Sequence, residues 1–323
     1  MELFVHILIF LVAIGIIWVF AGSVVNAVSR IARRYCKSGF LTAFFVLGFI
    51  TSISEFSVAA NSVLEKVPQV SAGNLVGASV VILLFIVPLL AIAGKGIQLN
   101  GAISKGLLGL LLVVIALPTL LVLDGNVTRA EGLLLLLAYG AVAFTLYLKR
   151  ITISACDPDE NSIGERISLT MNDVLRVVVG AVAIFFAAQF LVEESVYFAT
   201  ALSVPSSLIG LVLLSVGTNI PEIAIAVRSL SRGRADIAFG DYLGSAAMNT
   251  LIFGLLALVS GTFLVEASEF IMTAALFIVG LYFLYRFAVS KFTLSRKEAF
   301  VLLVFYGAFL AVQIWNVVRF AGN

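Results

Sequence analysis

The sequence predicts an all-α polytopic membrane protein, with ten transmembrane helices arranged as two inverted-topology repeats of five. Three observations predict this class. Of 323 residues, 62% are hydrophobic and only 12% are charged, against roughly 25% charged in soluble chains, and mean hydropathy is +1.16. Ten apolar runs approach the ~20 residues that cross a bilayer as a helix. Two polar patterns recur along the chain in a single register.

In order, the apolar runs are Leu3–Val28, Leu41–Leu64, Val70–Ala93, Gly106–Leu123, Ala130–Leu148, Val174–Val192, Ser206–Val227, Ile237–Val259, Val265–Tyr285 and Ala299–Val318. The first follows Glu2 without a basic leader and outruns a signal-peptide core, so it is expected to be retained as a helix. Breaks fall at "EKVPQ", "LDGN" and "SRGRAD", where turn-forming residues cluster. The runs lack the period-two alternation of a membrane barrel. The longest polar stretch, "KRITISACDPDENSIGERISLT" (149–170), stands at the midpoint and reads as a solvated linker. Its Asp157, Asp159, Glu160 and Glu165 raise a regulatory cation site as an alternative, but Ser162 occupies the place of an EF-hand turn glycine. The expected organisation is a first five-helix repeat over 1–148, a linker over 149–171 and a second repeat over 172–323. The repeated motifs lie at about 40–93 and 206–259.

Basic residues set the orientation. With the N-terminus outside, only Lys66, Arg129 and Arg319 of the 20 lysines and arginines fall outside, leaving 20 − 3 = 17 inside. That asymmetry predicts an external N-terminus and a cytoplasmic linker in a plasma (cell inner) membrane. Cys36 and Cys156 then face the reducing side. With His6 as the sole histidine and no CxxC, zinc and Cys–His chemistry are excluded. The net charge of +2 gives no reason to expect nucleic acid. No cofactor or protein partner is implied, and the lipid bilayer is the expected surround.

The repeat pairs "TSISEFSVAANS" (51–62) with "TNIPEIAIAVRS" (218–229), and "GNLVGAS" (73–79) with "GDYLGSA" (240–246), both shifted by 167 residues. Thr51, Ile53, Glu55, Gly73 and Gly77 match Thr218, Ile220, Glu222, Gly240 and Gly244. The shift spans five helices, an odd number, so equivalent helices run in opposite directions. Such repeats place a substrate site near the bilayer midplane, and Glu55 and Glu222 are expected to meet there.

An ionised carboxylate at that depth costs roughly 2.5–3.5 kcal/mol, and two together repel. No lysine, arginine or histidine in these segments is placed to neutralise them, so a bound cation is the missing partner. Thr51 and Ser52 share a helix face with Glu55, as Thr218 and Asn219 do with Glu222. Pro221 disturbs the turn before it and frees a carbonyl near Gly217 or Thr218. Ser245 and Asn249 are i, i+4 behind Gly244. The set is all hard oxygen, suiting Ca²⁺ or Na⁺ and not zinc or copper. Two negative charges balance one divalent or two monovalent ions, which is the charge logic of an antiporter. Ser57 and Ser62 read as bonding their own backbone. The paired glycine motifs are open between helix packing and a role in the site. Asp241 and its counterpart Asn74 stand near helix ends, open between a solvated cap and a gating or proton site.

These segments resemble the two α-repeats of the sodium/calcium exchanger family, in the calcium/cation antiporter superfamily. "GTNIPE" (217–222) looks like the family's Gly-Thr-Ser-x-Pro-Glu, and "GDYLGSAAMN" (240–249) like its Gly-Asn-x-x-Gly-Ser-Asn-x-x-Asn/Asp. The resemblance covers about 80 residues in two blocks. It implies that Glu55 and Glu222 are the central Ca²⁺ carboxylates and that Thr51 and Thr218 add backbone carbonyls. It assigns Ser52, Asn219, Ser245, Asn249 and the carbonyls of Gly48 and Ser215 to flanking Na⁺ or cation positions. It also implies alternate exposure of the site as the first and sixth helices slide across a fixed core.

The first repeat departs from the pattern. It reads "ITSISE", without the glycine or proline, and has Ala78 and Ile82 where serine and asparagine are usual. The divalent site is complete on this reading, while the Na⁺ positions are depleted on one side, so the coupling ion is Na⁺ or H⁺. The leading expectation is a Ca²⁺/Na⁺ antiporter. The alternatives are an H⁺-coupled exchanger of Ca²⁺ or another divalent ion and, in a different class, a cation channel. No Ser–Lys pair or Gly-x-Ser-x-Gly elbow supports an enzyme.

Overall fold

The computed structural model describes residues 2–35, 44–45, 48–94, 96–98, 104–148, 171–220, 222–223, 235–291 and 293–321. The expected linker, Pro221 and the "SRGR" break lie outside the described residues. The fold is nearly all helical. Its helices are α1 (Glu2–Tyr35), α2 (Gly48–Thr51), α3 (Ile53–Leu64), α4 (Pro68–Val81), α5 (Val87–Ala93), α6 (Lys105–Leu121) and α7 (Arg129–Leu148) in the first half. The second half holds α8 (Met171–Ala201), α9 (Ser206–Ile209), α10 (Ser215–Thr218), α11 (Ala235–Ser260), α12 (Ala267–Lys291) and α13 (Arg296–Ala321). A π-helical turn, Ile82–Ile86, joins α4 to α5, and another, Gly210–Leu214, joins α9 to α10. Among the described residues, eight helices are long and apolar enough to cross a membrane, and Ser206–Thr218 forms a shorter apolar helix.

Many boundaries fall within a few residues of the sequence reading; α1 runs seven residues past Val28 and α12 six past Tyr285, and two further differences have identifiable partners. Helix α8 continues nine residues beyond Val192, through Glu193 and Glu194, to Ala201. Two adjacent carboxylates argue against a membrane helix from sequence alone. Here Glu194 is buried and pairs with His6 of α1 at 2.7 Å, and His6 stacks on Tyr197 with ring centroids 3.5 Å apart. Helix α13 starts three residues early because Ser295 and Glu298 form a capping box: Ser295 N and Oγ donate to Glu298 Oε2 at 2.8 and 2.7 Å. The "LDGN" break turns through Gly125 at φ 78. At "EKVPQ", Lys66 takes φ 60 and Pro68 opens α4 at a position where its missing N–H costs nothing.

The layers follow burial. Every residue of α4 except Gln69 is buried, and α11 packs against α4, α6 and α7 around it. Helices α1 and α8 lie side by side and expose apolar faces, with Leu8, Leu11, Val178 and Phe186 among the exposed residues. In a membrane protein such faces meet lipid.

The 167-residue offset recurs in the backbone. The helix breaks at Ser52 (φ −80, ψ 8) and at Asn219 (φ −89, ψ 7), 219 − 52 = 167 residues apart. Gly77 packs against Leu211 and Ser215, and Gly244 against Phe44 and Gly48. Subtracting 167 from 211 and 215 gives 44 and 48, so the two crossings are equivalent. The capping box Thr128–Glu131 is likewise the counterpart of Ser295–Glu298. Two antiparallel two-residue pairs, Ile97–Gln98 with Thr293–Leu294 and Asn126–Val127 with Phe263–Leu264, tie loops of one half to loops of the other.

Candidate cation site

The two backbone breaks create the site. The helices leave their regular path at Ser52 and Asn219, although Phe56 N still donates to Ser52 O at 2.9 Å and Ile223 N to Asn219 O at 3.2 Å. Ser54 marks where oxygens of both halves meet. Its Oγ lies 2.9 Å from Glu55 Oε2, 3.3 Å from Thr51 O and 3.4 Å from Thr218 O. One hydroxyl carries one hydrogen, so it donates to one of the three at a time. The carboxylate of Glu55 and the carbonyls of Thr51 and Thr218, one from each half, therefore gather about the Ser54 hydroxyl.

The other carboxylate heads a second chain. Ser245 donates to Glu222 Oε1 at 3.4 Å and lies 3.3 Å from the Ser52 hydroxyl. Tyr242 donates to the Glu222 carbonyl at 3.1 Å. Asn219 Nδ2 donates to Ser215 O at 2.7 Å, and Asn249 Nδ2 to Ser79 Oγ at 3.4 Å. Gly48 O accepts from Thr51 Oγ1 at 3.3 Å and from Ser52 N at 3.2 Å. The ten residues singled out from sequence thus lie on the elements that meet at the two breaks. All ten are buried.

What is left over is informative. Glu55 Oε1, Glu222 Oε2, Asn219 Oδ1 and Asn249 Oδ1 are buried without a hydrogen-bond partner. The two amides spend their N–H₂ groups on protein acceptors and keep their oxygens free. Buried oxygens of this kind cost roughly 1–3 kcal/mol each unless something supplies positive charge. Among the described residues, no three His, Cys, Asp or Glu side chains cluster as in a resident metal centre. The donor set fits a hard cation held by two carboxylates, carbonyls and amides.

Two participants, Ser54 and Ser79, were not singled out from sequence. Ser54 adjoins Glu55, and neighbours on a helix do not normally share a face. Only the break at Ser52 brings it round. Ser79 bonds Asn249, although its neighbour Ala78 brings no oxygen. Asn74 accepts from Thr218 Oγ1 at 3.3 Å. Asn74 and Asp241 are not solvated caps: both are wholly buried. The glycine motifs serve close packing, since a Cβ on Gly77 would come within 2.7 Å of Ser215 Cβ and one on Gly48 within 2.7 Å of the Gly244 carbonyl carbon.

The chain resembles known proteins in family and in fold. The chain matches the family described as sodium/calcium exchanger protein over residues 5–148 and 173–315. It is 35% identical over 144 residues to the sodium/calcium exchanger MaX1 of Methanosarcina acetivorans, a stretch that is 44% of this chain and 41% of that protein, less than half its length. It is 27% identical over 233 residues to the putative antiporter CaxA of Alkalimonas amylolytica, covering 70% of this chain and 72% of that one. A solved structure of the sodium-calcium exchanger NCX_Mj superposes with a TM-score of 0.67 at 19% identity, over 95% of this chain and 98% of that one, a likeness of fold.

Proposed function

The chain belongs to the sodium/calcium exchanger family of integral membrane cation antiporters, and from that membership we propose that it exchanges Ca²⁺ for Na⁺ by alternating access around Glu55 and Glu222. The observation that carries the reading is a buried oxygen left without a partner on each of Glu55 and Glu222, beside the Thr51 and Thr218 carbonyls that gather about the Ser54 hydroxyl. In this reading Ca²⁺ takes Thr51, Glu55, Thr218 and Glu222. Flanking Na⁺ positions use Ser52, Asn219, Ser245, Asn249 and the carbonyls of Gly48 and Ser215. The transported ions are substrates, and no cofactor takes part.

Ten membrane helices in two inverted repeats, 1–148 and 172–323 around a cytoplasmic linker, complete the proposal, with the N-terminus outside a plasma membrane. The recurring 167-residue offset in helix breaks, glycine crossings and capping boxes supports the repeat. Pairing of α1 with α8 through His6 and Glu194 supports their movement as one body over the core.

A second reading keeps the Ca²⁺ site and couples it to H⁺. Ala78 and Ile82 favour it, being buried apolar side chains where the other half has Ser245 and Asn249. Uptake of ⁴⁵Ca²⁺ into proteoliposomes under separate Na⁺ and H⁺ gradients tests both. Uptake driven by an outward Na⁺ gradient at equal pH is the expected result. Uptake needing only the H⁺ gradient selects the second reading, and uptake with no counter-ion gives a channel.

A further inference from the structure

One buried carboxylate has no part in the site described above. Asp241 lies in the second turn of α11 and is wholly buried, and neither of its oxygens has a hydrogen-bond partner. Among the described residues no basic group pairs with it. It is four residues before Ser245, whose hydroxyl bonds Glu222, hence on the same face of α11 and about 6 Å along the axis from it. The next residue, Tyr242, donates to the Glu222 carbonyl. Asp241 therefore shares the α11 face that carries Ser245, the hydroxyl bonded to Glu222.

Its counterpart shows what that place holds when neutral. Asn74 is the same position in the other half (241 − 74 = 167), equally buried, and accepts from Thr218 Oγ1. Thr51, the counterpart of Thr218, turns its hydroxyl to Gly48 O instead. The two halves thus place an amide with a partner opposite a carboxylate with none. A buried unpaired anion is retained only when a positive charge comes to it. The elements packed on α11 bring few ionisable groups: none on α4, Glu55 on α3, Lys105 on α6, and Arg129, Glu131, Tyr139 and Tyr147 on α7.

We propose that Asp241 is a third ion-carrying carboxylate, which holds one monovalent cation, Na⁺ or H⁺, beside the pair of glutamates. This rests on the antiport reading, and it deepens it: Glu55, Glu222 and Asp241 together need three positive charges, so a monovalent load exceeds a Ca²⁺ load by one charge. The exchange is then electrogenic unless that monovalent ion stays bound while Ca²⁺ crosses.

Asp241→Asn, which copies Asn74 in shape and removes the charge, tests this, with Asp241→Ser as a second neutral variant should the amide not fold. The first readout needs no transport. Equilibrium ²²Na⁺ binding and acid–base titration of the purified protein count the monovalent ions held. The variant is expected to hold one fewer, either one Na⁺ or one titrating proton, and the arm in which the loss falls identifies the ion. Ca²⁺ binding survives, because Glu55 and Glu222 are untouched. The second readout is the reversal potential of exchange in proteoliposomes, expected to shift by one monovalent ion per cycle. Equal counts in both arms overturn the proposal whatever the transport activity. Loss of Ca²⁺ binding with an unchanged monovalent count also overturns it, making Asp241 a Ca²⁺ ligand. A wild-type protein that binds no Ca²⁺ sinks the antiport reading but leaves the monovalent count as a separate test.

Discussion

At the scale of single residues, the site depends on charge placed where water is absent. Glu55→Gln and Glu222→Gln each remove one of two charges facing a divalent ion. Losing one partner of a buried charge pair costs at least about 2 kcal/mol, so Ca²⁺ binding is expected to weaken by about 30-fold or more, read by ⁴⁵Ca²⁺ binding to protein of unchanged elution profile. Wild-type affinity in either variant would remove the two-carboxylate site. Ala78→Ser with Ile82→Asn restores oxygens to the first half and is expected to steepen the Na⁺ dependence of Ca²⁺ transport. Steep multi-ion Na⁺ dependence in the unmodified protein counts against that expectation. Thr51, Glu55, Thr218 and Glu222 were legible in sequence because a carboxylate is costly in an apolar run and the same cost appears twice in one register. Ser54 and Ser79 were not. A serine in a membrane helix usually bonds its own turn, and only the three-dimensional break makes Ser54 differ from Ser57, which donates to Ile53 O at 2.7 Å.

At the scale of elements, the glycines fix how closely the broken helices approach. A Cβ on Gly244 would strike the Phe44 backbone, and backbone cannot yield as a flexible side chain does. Gly244→Ala is therefore expected to cost about 1–3 kcal/mol by overpacking, seen as a lower melting temperature in detergent, whereas Gly140→Ala, with nothing within 4 Å, leaves it unchanged. Equal melting of the two variants would contradict the crossing. Most helices were legible from length and apolarity. The extension of α8 was hidden because its stability rests on His6, 188 residues away. The break at Ser52 was hidden for another reason: its counterpart at Asn219 lies beside a proline, whereas "SIS" carries no breaker, so packing rather than local sequence decides it.

At the scale of the whole molecule, the repeat and the orientation are separate claims. A cysteine at Asn126 is expected to react with an impermeant reagent in sealed, right-side-out cells, and one at Ser162 is not. The opposite pattern reverses the chain in the membrane and leaves the 167-residue offset as it is. The paired helices α1 and α8 carry a consequence for the bilayer. The apolar stretch Val174–Ala201 has 28 residues, about 42 Å of helix, against a hydrocarbon layer of about 30 Å. A helix of that length exceeds the layer and is accommodated by tilting or by local thickening of the bilayer. Its partner α1, joined to it through His6 and Glu194, shares that mismatch. Acyl-chain length then becomes a control variable, because a thicker layer lessens the mismatch and a thinner one enlarges it. Turnover in vesicles of graded chain length is expected to pass through an optimum while Ca²⁺ affinity in detergent is fixed by the oxygens alone.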